Sequence, residues 1–315
     1  MSRMIDPKVI KNLQRQFGDQ VMLNEPLSTF TSVGIGGPAD VLLIAKSEQA
    51  LESMVQACWD ADLPTIVLGR GSNVLVSDKG IRGATVINQA TAAYVMENPT
   101  NPGAMTRIYA ESGAFLGKVA RLAESFSLAG MEWGEGIPGT IGGAVIGNAG
   151  AFGGDLKDNF ISCRILKRGE KTRSYFAKEM EFQYRKSFLK NNTDDFAVLS
   201  TIFQLAMGEK EKIHEKMMDN QAKRRKKQPT TRSIGSIFKN PPNDFAGRLI
   251  NQLHLKGTRF GDAQISQKHA NIFINVGNAT ANDWKNLMEF TQQKVLENYG
   301  IQLEPEILLI GEWSS

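Results

Sequence analysis

The most restrictive feature of this chain is a glycine-rich stretch at residues 134–154, GEGIPGTIGGAVIGNAGAFGG. Nine of its twenty-one residues are glycine, and Glu135 is its only charged residue. Because a glycine inside a helix or strand costs roughly 0.5–1 kcal/mol relative to alanine, this density indicates a geometric requirement. Either the chain reverses tightly several times here, or a large flat group lies against bare backbone.

The stretch contains the spacing G-x-G-x-x-G, at Gly134, Gly136 and Gly139, which also occurs in dinucleotide-binding turns. Such a turn works only between a strand and the N-terminus of a helix. Pro138 interrupts the spacing, and we expect the six glycines that follow to prevent a helix. The match is therefore predicted to be accidental. A second near-match, GIGGPA at 34–39, leads into a strand and fails the same test.

A second loop with little side-chain bulk, LGRGSNVLV at 68–76, precedes this stretch in the chain. Runs of free backbone N–H groups bind anionic oxygens without a lysine, and Ser72, Asn73 and Asn148 add short hydrogen-bonding side chains. One pyrophosphate and one flat ring system would account for both loops, although each loop alone is also typical of an ordinary turn. On this interpretation, a Cβ at Gly142 or Gly150 would occupy space that belongs to the ligand.

Composition restricts the class of protein. The chain has 315 residues, 41% hydrophobic and 22% charged, as in globular proteins of two or three domains. Its net charge of +4 suits an anionic ligand and is too small to indicate nucleic-acid binding. Two cysteines, and three histidines without metal-ligand spacing, predict neither a disulfide framework nor a metal site. Without a signal peptide or a long apolar run in the sequence, we expect a cytoplasmic protein that does not contact a membrane.

Hydrophobic periodicity predicts an α+β chain in three units, at residues 1–90, 91–208 and 209–315. The first is predicted to contain a helix at 6–18, a buried strand at 39–47 and an amphipathic helix at 47–64. The third is predicted to contain a charged helix that ends before Pro229 and an amphipathic helix capped by Asn282 and ended by Gly300. A final strand is predicted within 301–313, and we expect residues 302–312 to lie near the first unit.

Eight segments occur in the order found in the UDP-N-acetylenolpyruvoylglucosamine reductase (MurB) family, which the chain resembles over residues 24–312. The segments are TSVGIGGPAD, VLGRGSNVLVSDKGIRG, GIPGTIGGAVIGNAGAFGGDL, FQYRKSF, QPTTRSIGSIFKNP, AGRLINQLHLKG, AQISQKHANIFIN and LEPEILLIG. The resemblance implies an FAD-binding domain of the vanillyl-alcohol oxidase (PCMH) type in two α/β subdomains, and a C-terminal α+β substrate-binding domain. The short distance between YRKS and QP resembles the shorter form of the family, without an extra substrate-covering loop and its tyrosine.

The resemblance implies that the two glycine-rich loops hold FAD. Neither loop contains a His or Cys that could attach the flavin, so non-covalent binding is expected. The implied cofactor-binding residues are Gly69, Arg70, Gly71, Ser72 and Asn73 in the first loop, and Gly136, Ile137, Pro138, Gly139, Thr140, Gly142, Gly143, Asn148, Ala149 and Gly150 in the second.

The implied reaction reduces an enolpyruvyl ether to a lactyl ether in peptidoglycan precursor synthesis. NADPH, the implied co-substrate, reduces FAD, and hydride then passes to C3 of the enolpyruvyl group. The charge that develops at C2 spreads into the carboxylate as an enolate, which requires a cationic or acidic partner and a proton donor. By resemblance, Arg185 binds the carboxylate, Ser236 delivers the proton to C2, and Glu306 polarises the enolate as a neutral acid whose pKa is raised by burial. Glu304 is the neighbouring alternative to Glu306.

Further residues match positions near the UDP-sugar or are candidates for contacts with its diphosphate or with NADPH. These substrate-binding candidates are Tyr184, Arg224 (or Arg225), Lys239, Asn240 and His269. The run KRRKK at 223–227, which includes the two arginines, is equally typical of a solvated helix end and of a phosphate-steering surface.

The chain departs from the family at a few positions. Gly34 stands where many relatives carry a basic residue, Gly147 where a methionine is common, and Ser233-Ile234 precedes Gly235 where a small residue is frequent. One alternative function is that of another FAD-dependent oxidoreductase of a hydroxy acid or sugar, which would share the FAD domain only; the segments GSIFKNP and LEPEILLIG disfavour it. The other is nucleic-acid binding through KRRKK, which lacks interleaved aromatic residues. A small-molecule substrate and no obligate protein partner are expected.

Overall fold

The computed structural model describes residues 5–97, 104–191 and 195–313. In these ranges the helices are α1 (Pro7–Phe17), α2 (Glu48–Asp60), α3 (Leu116–Ser125), α4 (Ile141–Gly147), α5 (Lys210–Lys227), α6 (Ala246–Gln252) and α7 (Ala281–Tyr299). The strands are β1 (Val21–Pro26), β2 (Pro38–Ala45), β3 (Thr65–Leu68), β4 (Val74–Val76), β5 (Ile81–Asn88), β6 (Ala93–Val95), β7 (Met105–Glu111), β8 (Leu128–Ala129), β9 (Gly150–Ala151), β10 (Gly154–Asp155), β11 (Phe160–Lys167), β12 (Arg173–Phe176), β13 (Phe196–Met207), β14 (Arg259–Phe260), β15 (Ala263–Ile265), β16 (Phe273–Asn275) and β17 (Leu308–Ile310). None of the helices in these ranges is long and apolar enough to cross a membrane.

The first sheet has the strand order β1-β2-β5-β3. Strand β1 is antiparallel to β2, whereas β2 and β3 both run parallel to β5. Strand β2 is the predicted buried strand, and its Leu42 and Leu43 are completely buried. Helix α2 packs on this sheet and begins at Ser47, whose hydroxyl accepts the Ala50 N–H at 3.2 Å. The helix predicted at 47–64 is thus confirmed and ends four residues before the predicted end.

The second sheet has the order β12-β11-β13-β7-β6, with β8 paired to the end of β13. All its pairs are antiparallel, and the long strand β13 is central. Helices α3 and α4 contribute to the core of this sheet through Leu116, Val119 and Ile141, which are all buried. Part of the glycine-rich stretch therefore packs on this sheet, because α4 lies within that stretch.

The prediction that the glycines of this stretch prevent a helix is wrong, because α4 lies within it. Ala144 and Val145 are buried, and the Gly142 N–H donates to the Ser112 carbonyl at 2.8 Å. An added Cβ at Gly142 would lie 3.1 Å from the Ser112 Cβ, so glycine permits close packing that compensates for its low helix propensity. A 3₁₀ turn (Glu132–Gly134) precedes this region instead of a strand, which agrees with the absence of a dinucleotide-binding turn expected for 134–139.

The third sheet is a small antiparallel one, β14-β15-β16, packed against α6 and α7. Helix α7 is the predicted amphipathic helix and ends at Gly300 as expected, in the left-handed conformation (φ 66°). Its predicted N-cap at Asn282 is wrong: Thr280 is the N-cap, and its hydroxyl accepts the Asp283 N–H at 3.0 Å. The Asn282 N–H instead donates to Asp78 at 3.0 Å, which ties the start of α7 to the loop after β4.

Only three residues of the predicted C-terminal strand, β17, have strand structure, and they pair in parallel with β4. Upstream, Leu303 and Ile307 are buried in the core of the third sheet. The Glu306 N–H donates to the Ile237 carbonyl (2.8 Å), and the N–H of Leu308, the first residue of β17, donates to the Asn73 carbonyl (3.0 Å). The segment therefore connects the loop after β3 with the loop before α6. Each of the three larger sheets lies within one of the three predicted units, whereas the β4–β17 pair joins the first unit and the third. The division into domains itself stays a prediction.

Candidate active site

A cavity of about 590 Å³ lies between the two glycine-rich loops, the start of β13 and the C-terminal segment. This volume is within the range of about 300–1,000 Å³ that is usual for ligand and cofactor sites. Its lining includes Arg185, Ser236 and Glu306 together with most of the glycines that the sequence singled out.

Several glycines of the two loops are explained by close contacts with the surrounding protein, and one of these contacts joins the two loops. An added Cβ at Gly69 would lie 2.4 Å from the Thr140 Oγ1, and one at Gly71 (φ 57°) would lie 2.7 Å from the Phe30 carbonyl oxygen. At Gly150 an added Cβ would lie 2.6 Å from the Asp155 Cβ. These glycines are required for the loops to pack against protein. The expectation that a Cβ at Gly142 or Gly150 would fill ligand space is therefore wrong.

Other glycines face the cavity itself. Gly143 and Gly147 lie one helical turn apart on α4, and an added Cβ at either would meet no atom of the described residues within 4 Å. Gly235 (φ 78°), on the opposite loop, is equally open. All three line the cavity. The result is a wall of bare backbone against which a flat ring can lie, so the residues present fit an isoalloxazine ring.

Most of the predicted cofactor-binding residues line the cavity. They are Gly69, Arg70, Gly71, Ser72, Asn73, Ile137, Pro138, Gly139, Thr140, Gly142, Gly143, Ala149 and Gly150. Gly136 and Asn148 are not in this lining. Asn148 is buried in a left-handed conformation (φ 41°), and its amide donates to the Gln183 carbonyl at 3.0 Å while its oxygen accepts the Lys157 N–H at 3.1 Å. Its side chain thus connects the end of α4 to the turn that carries Arg185.

Sequence reasoning missed several lining residues: Thr65–Val67 on β3, Asn88, Ser112, Leu189, Lys190 and 196–198 at the start of β13. The strand residues have no sequence signal, because their strands resemble any other buried strand. Lys190 follows Arg185 by five residues in YRKSFLK and could have been considered from that proximity.

Arg185 sits on a tight turn in which Gln183 and Lys186 exchange backbone hydrogen bonds of 2.9 and 3.1 Å. Its φ of 55° is uncommon for a residue with a Cβ, and such conformations concentrate at functional sites. The Arg185 Nε lies 3.1 Å from the Glu306 Oε1, but the Nε–H is buried and forms no hydrogen bond within the part of the chain that the structure describes. The contact therefore brings the Arg185 guanidinium and the Glu306 carboxyl together at the cavity without a hydrogen bond through Nε.

Ser236 lies on the loop before α6, and its backbone bridges to Ile272. Asn271 holds this loop from one side: its amide donates to the Phe238 carbonyl at 2.8 Å and its oxygen accepts the Phe238 N–H at 3.0 Å. The Ile237 N–H donates to the Asn271 carbonyl at 2.9 Å. Asn271, which sequence reasoning missed, therefore fixes the backbone next to Ser236.

Of the two candidate glutamates, Glu306 faces the cavity and Glu304 does not. Glu304 is exposed, and Lys239 pairs with it at 2.9 Å. Burial raises the pKa of Glu306 above its usual value, against the attraction of Arg185, Lys190 and Lys239. A raised pKa is the direction expected for a carboxyl group that acts as a neutral acid.

The raised pKa of Glu306 has a consequence for stability. The folded protein retains this proton at a pH where the unfolded chain, with a glutamate pKa of about 4.3, has released it. The free energy of unfolding therefore decreases as pH rises from about 4.3 through the folded pKa. We expect Glu306→Gln to increase the free energy of unfolding at pH 7 and to change it little at pH 4, measured by urea unfolding. Glu304→Gln, on the exposed neighbour, is the control. A Glu306→Gln protein that is less stable at pH 7 would indicate an ionised Glu306 stabilised by Arg185.

The predicted substrate-binding residues are distributed around the cavity, and only Arg224 lines it. Burial lowers the pKa of Arg224, which stands in the last turn of α5. Lys223 beside it pairs with Asp219 at 2.5 Å on the exposed face. The two interpretations of KRRKK thus apply to different members: Lys223 belongs to a solvated helix surface, and Arg224 faces the cavity.

The other four candidates lie outside the cavity lining. Tyr184 is 62% exposed, with the Arg185 guanidinium 5.5 Å from its ring centre. Lys239 pairs with Glu304, and the Asn240 Oδ1 accepts the Ala246 N–H (3.2 Å) at the start of α6. The His269 Nδ1 accepts the Asn271 N–H (3.2 Å), and burial, with Lys256 and Lys227, lowers its pKa. These residues can contact a ligand only where it extends beyond the cavity.

Comparison with known proteins gives consistent matches. Residues 227–310 match the family described as UDP-N-acetylenolpyruvoylglucosamine reductase, C-terminal domain, and residues 39–173 match the FAD binding domain family. The UDP-N-acetylenolpyruvoylglucosamine reductase of Caldanaerobacter subterraneus subsp. tengcongensis is 40% identical over 294 residues, covering 93% of this chain and 94% of that protein. The Listeria welshimeri reductase of the same name is 39% identical over 305 residues, covering 96% and 100%.

A solved structure supports the same relationship. The crystal structure of UDP-N-acetylenolpyruvylglucosamine reductase (MurB) from Thermus caldophilus has a TM-score of 0.74 and 31% sequence identity to this chain, covering 92% of it and 97% of the other chain. The predicted α+β architecture, an FAD-binding domain followed by a C-terminal domain, is confirmed by these matches.

Proposed function

The chain belongs to the UDP-N-acetylenolpyruvoylglucosamine reductase family, and we propose that its cavity binds FAD non-covalently and reduces UDP-N-acetylglucosamine enolpyruvate to UDP-N-acetylmuramate. NADPH is the proposed electron donor, and peptidoglycan precursor synthesis in the cytoplasm is the proposed setting. The observation that carries this proposal is the assembly of Arg185, Ser236 and Glu306 in one cavity that also contains the open wall of Gly143 and Gly147.

FAD, when bound, supplies the hydride that adds to C3 of the enolpyruvyl group. The chain's own residues must then stabilise the negative charge of the enolate and deliver a proton to C2. Arg185, which lines the cavity, presents its guanidinium to the substrate carboxylate, over which the charge spreads. We propose that Glu306 acts in its protonated form, which its raised pKa favours, and donates a hydrogen bond to the same developing charge. An ionised carboxylate in its place would repel the enolate.

Ser236 is the proposed proton donor to C2. A serine hydroxyl is a weak acid, and it serves here because an enolate carbon is strongly basic. The two hydrogen bonds between the Asn271 side chain and the Phe238 backbone fix the loop that carries Ser236. They therefore hold the Ser236 hydroxyl on one side of the cavity. Delivery from one fixed side would set a single configuration at the new stereocentre.

The cavity is large enough for the ring system and the reacting group, and the rest of the UDP-sugar must extend outward. We propose that Arg224 binds phosphate, since it is a half-buried cation at the cavity whose planar guanidinium can donate two parallel hydrogen bonds to phosphate oxygens. Tyr184, Lys239, Asn240 and His269 would contact the outer part of the substrate or NADPH. The proposed units, 1–90 and 91–208 for FAD and 209–315 for substrate, place Arg185 and Ser236 on different units.

The test of this function is a spectroscopic titration. We expect the purified protein to show flavin absorbance, to lose it on anaerobic addition of NADPH, and to regain it on addition of UDP-N-acetylglucosamine enolpyruvate. NADH in place of NADPH tests the choice of donor. Reduction of the flavin by a hydroxy acid or sugar, with no response to the enol ether, would instead favour the alternative oxidoreductase.

A further inference from the structure

Lys190 lies in the cavity beside the Arg185–Glu306 pair, and the reaction scheme above gives it no role. Its ammonium Nζ donates to the backbone carbonyl of Arg185 at 3.1 Å. Lys190 is half-buried, and Arg185 is a second cation that repels its ammonium. Such a position is unfavourable unless specific contacts compensate, so the presence of Lys190 in this cavity requires an explanation.

The position of Lys190 is fixed by its neighbours. It lies on a 3₁₀ turn (Phe188–Asn191) whose Leu189 is buried in the core of the second sheet. Ser187, just before this turn, is completely buried, and its hydroxyl donates to the Ile146 carbonyl on α4 at 2.8 Å. Lys190 therefore extends from a rigid segment that is attached to the helix with the open glycines.

The carbonyl that Lys190 contacts belongs to a residue in an uncommon conformation. A left-handed backbone costs about 1–2 kcal/mol for a residue with a Cβ, so Arg185 (φ 55°) must be held by its surroundings. The backbone bonds between Gln183 and Lys186 close the turn, and the Lys190 contact orients the Arg185 carbonyl within it. The Arg185 side chain extends from this backbone, so the conformation of the turn sets the direction in which the side chain starts.

We propose that Lys190 is a positioning residue for the reduction: its ammonium fixes the backbone of Arg185 so that the guanidinium meets Glu306 and the substrate carboxylate. This inference rests on the proposed function. The charged groups around the ammonium are Glu306, which attracts it, and Lys239 and Arg185, which repel it. Burial, ahead of these charges, lowers the pKa of Lys190.

The test compares Lys190→Met, which keeps an unbranched side chain one atom shorter and removes the charge, with Lys190→Arg, which keeps a cationic donor. Lys186→Met is the matched control, since Lys186 is in the same turn but outside the cavity lining. Flavin reduction by NADPH and flavin reoxidation by the enol ether are measured separately. We expect Lys190→Met to slow reoxidation about 10²-fold, as for a misplacement of about 1 Å, with Lys190→Arg recovering much of it and Lys186→Met unaffected.

A second readout does not depend on activity. Because Lys190 is one of the cations that hold down the pKa of Glu306, Lys190→Met is expected to raise that pKa further, while Lys186→Met leaves it unchanged. The pKa is followed by NMR of protein labelled with ¹³C at the glutamate carboxyls, with the Glu306 signal identified by its loss in Glu306→Gln.

The pH profile supplies the third readout. A lowered pKa means that the ammonium loses its charge at a lower pH than a free lysine, so wild-type reoxidation is expected to decline on the alkaline side. In Lys190→Arg that decline is expected to move to higher pH, because arginine stays charged.

The outcomes separate the two proposals. If wild-type flavin is not reoxidised by the enol ether, the proposed function fails. If wild-type reoxidation proceeds and Lys190→Met matches it with an unchanged Glu306 pKa, the inference on Lys190 fails while the function stands. Equal slowing of both half-reactions, with lowered thermal stability and no rescue by arginine, would likewise overturn it in favour of a general structural role.

Discussion

Replacing Ser236 by alanine is expected to slow reoxidation of the flavin by the enol ether about 10²–10⁴-fold, the usual effect of losing a general acid. Reduction by NADPH should be nearly unchanged, because no proton has to be delivered to C2 in that step. Rapid mixing of reduced protein with UDP-N-acetylglucosamine enolpyruvate, followed by flavin absorbance, measures the first rate, and mixing of oxidised protein with NADPH measures the second.

Ser233→Ala is the matched control for this prediction. Ser233 lies on the same loop, and it is its backbone carbonyl that accepts the Ser32 hydroxyl at 2.8 Å, a contact that the substitution leaves in place. Both half-reactions should therefore proceed normally in Ser233→Ala. If Ser236→Ala slows the two half-reactions equally, the serine contributes to the shape of the cavity and is not the proton donor.

Valine at Gly143 is expected to raise the dissociation constant for FAD about 5–150-fold, corresponding to about 1–3 kcal/mol of lost binding. The reason is steric: an added Cβ at Gly143 points into the cavity, where no atom of the described residues lies within 4 Å. The apoprotein should retain its free energy of unfolding to within about 0.5 kcal/mol, since valine is tolerated in a helix about as well as glycine.

The neighbouring substitution Gly142→Val distinguishes ligand space from protein packing. An added Cβ at Gly142 would lie 3.1 Å from the Ser112 Cβ, so we expect the apoprotein to lose about 1–3 kcal/mol of stability through overpacking. Flavin content after gel filtration and urea unfolding of the apoprotein are the two measurements for both variants. Full flavin content in Gly143→Val would show that the ring does not lie against this face of α4.

For the glycine-rich stretch, the sequence predicted one structural feature correctly and another wrongly. Glycine density correctly indicated bare backbone at a cavity, because no other residue leaves a wall without side chains. Helix propensity wrongly excluded α4, because its burial against Ser112 and β13 compensates for the glycines. The sequence could not predict which glycines face the cavity and which face protein. Gly142 and Gly143 are adjacent, and they differ only in the direction in which a Cβ would point.

The choice between Glu304 and Glu306 followed from motif spacing, and the structure adds a physical reason for it. Glu304 is exposed and pairs with Lys239, while the backbone of Glu306 is held at the cavity by one hydrogen bond, from its N–H to the Ile237 carbonyl. The sequence could not indicate Lys190, because nothing local says that its ammonium reaches back to the Arg185 carbonyl.

By itself, the sequence determined the kinds of element, the glycine-lined site and the chemical groups available at it, because periodicity, glycine and side-chain chemistry are local properties of the chain. The tertiary structure alone decided that Arg185 and Glu306 lie 3.1 Å apart, that Arg224 and not His269 faces the cavity, and that α4 exists at all. Those outcomes depend on burial and on distances between residues far apart in the chain, which are set only when the sheets and the C-terminal segment pack together.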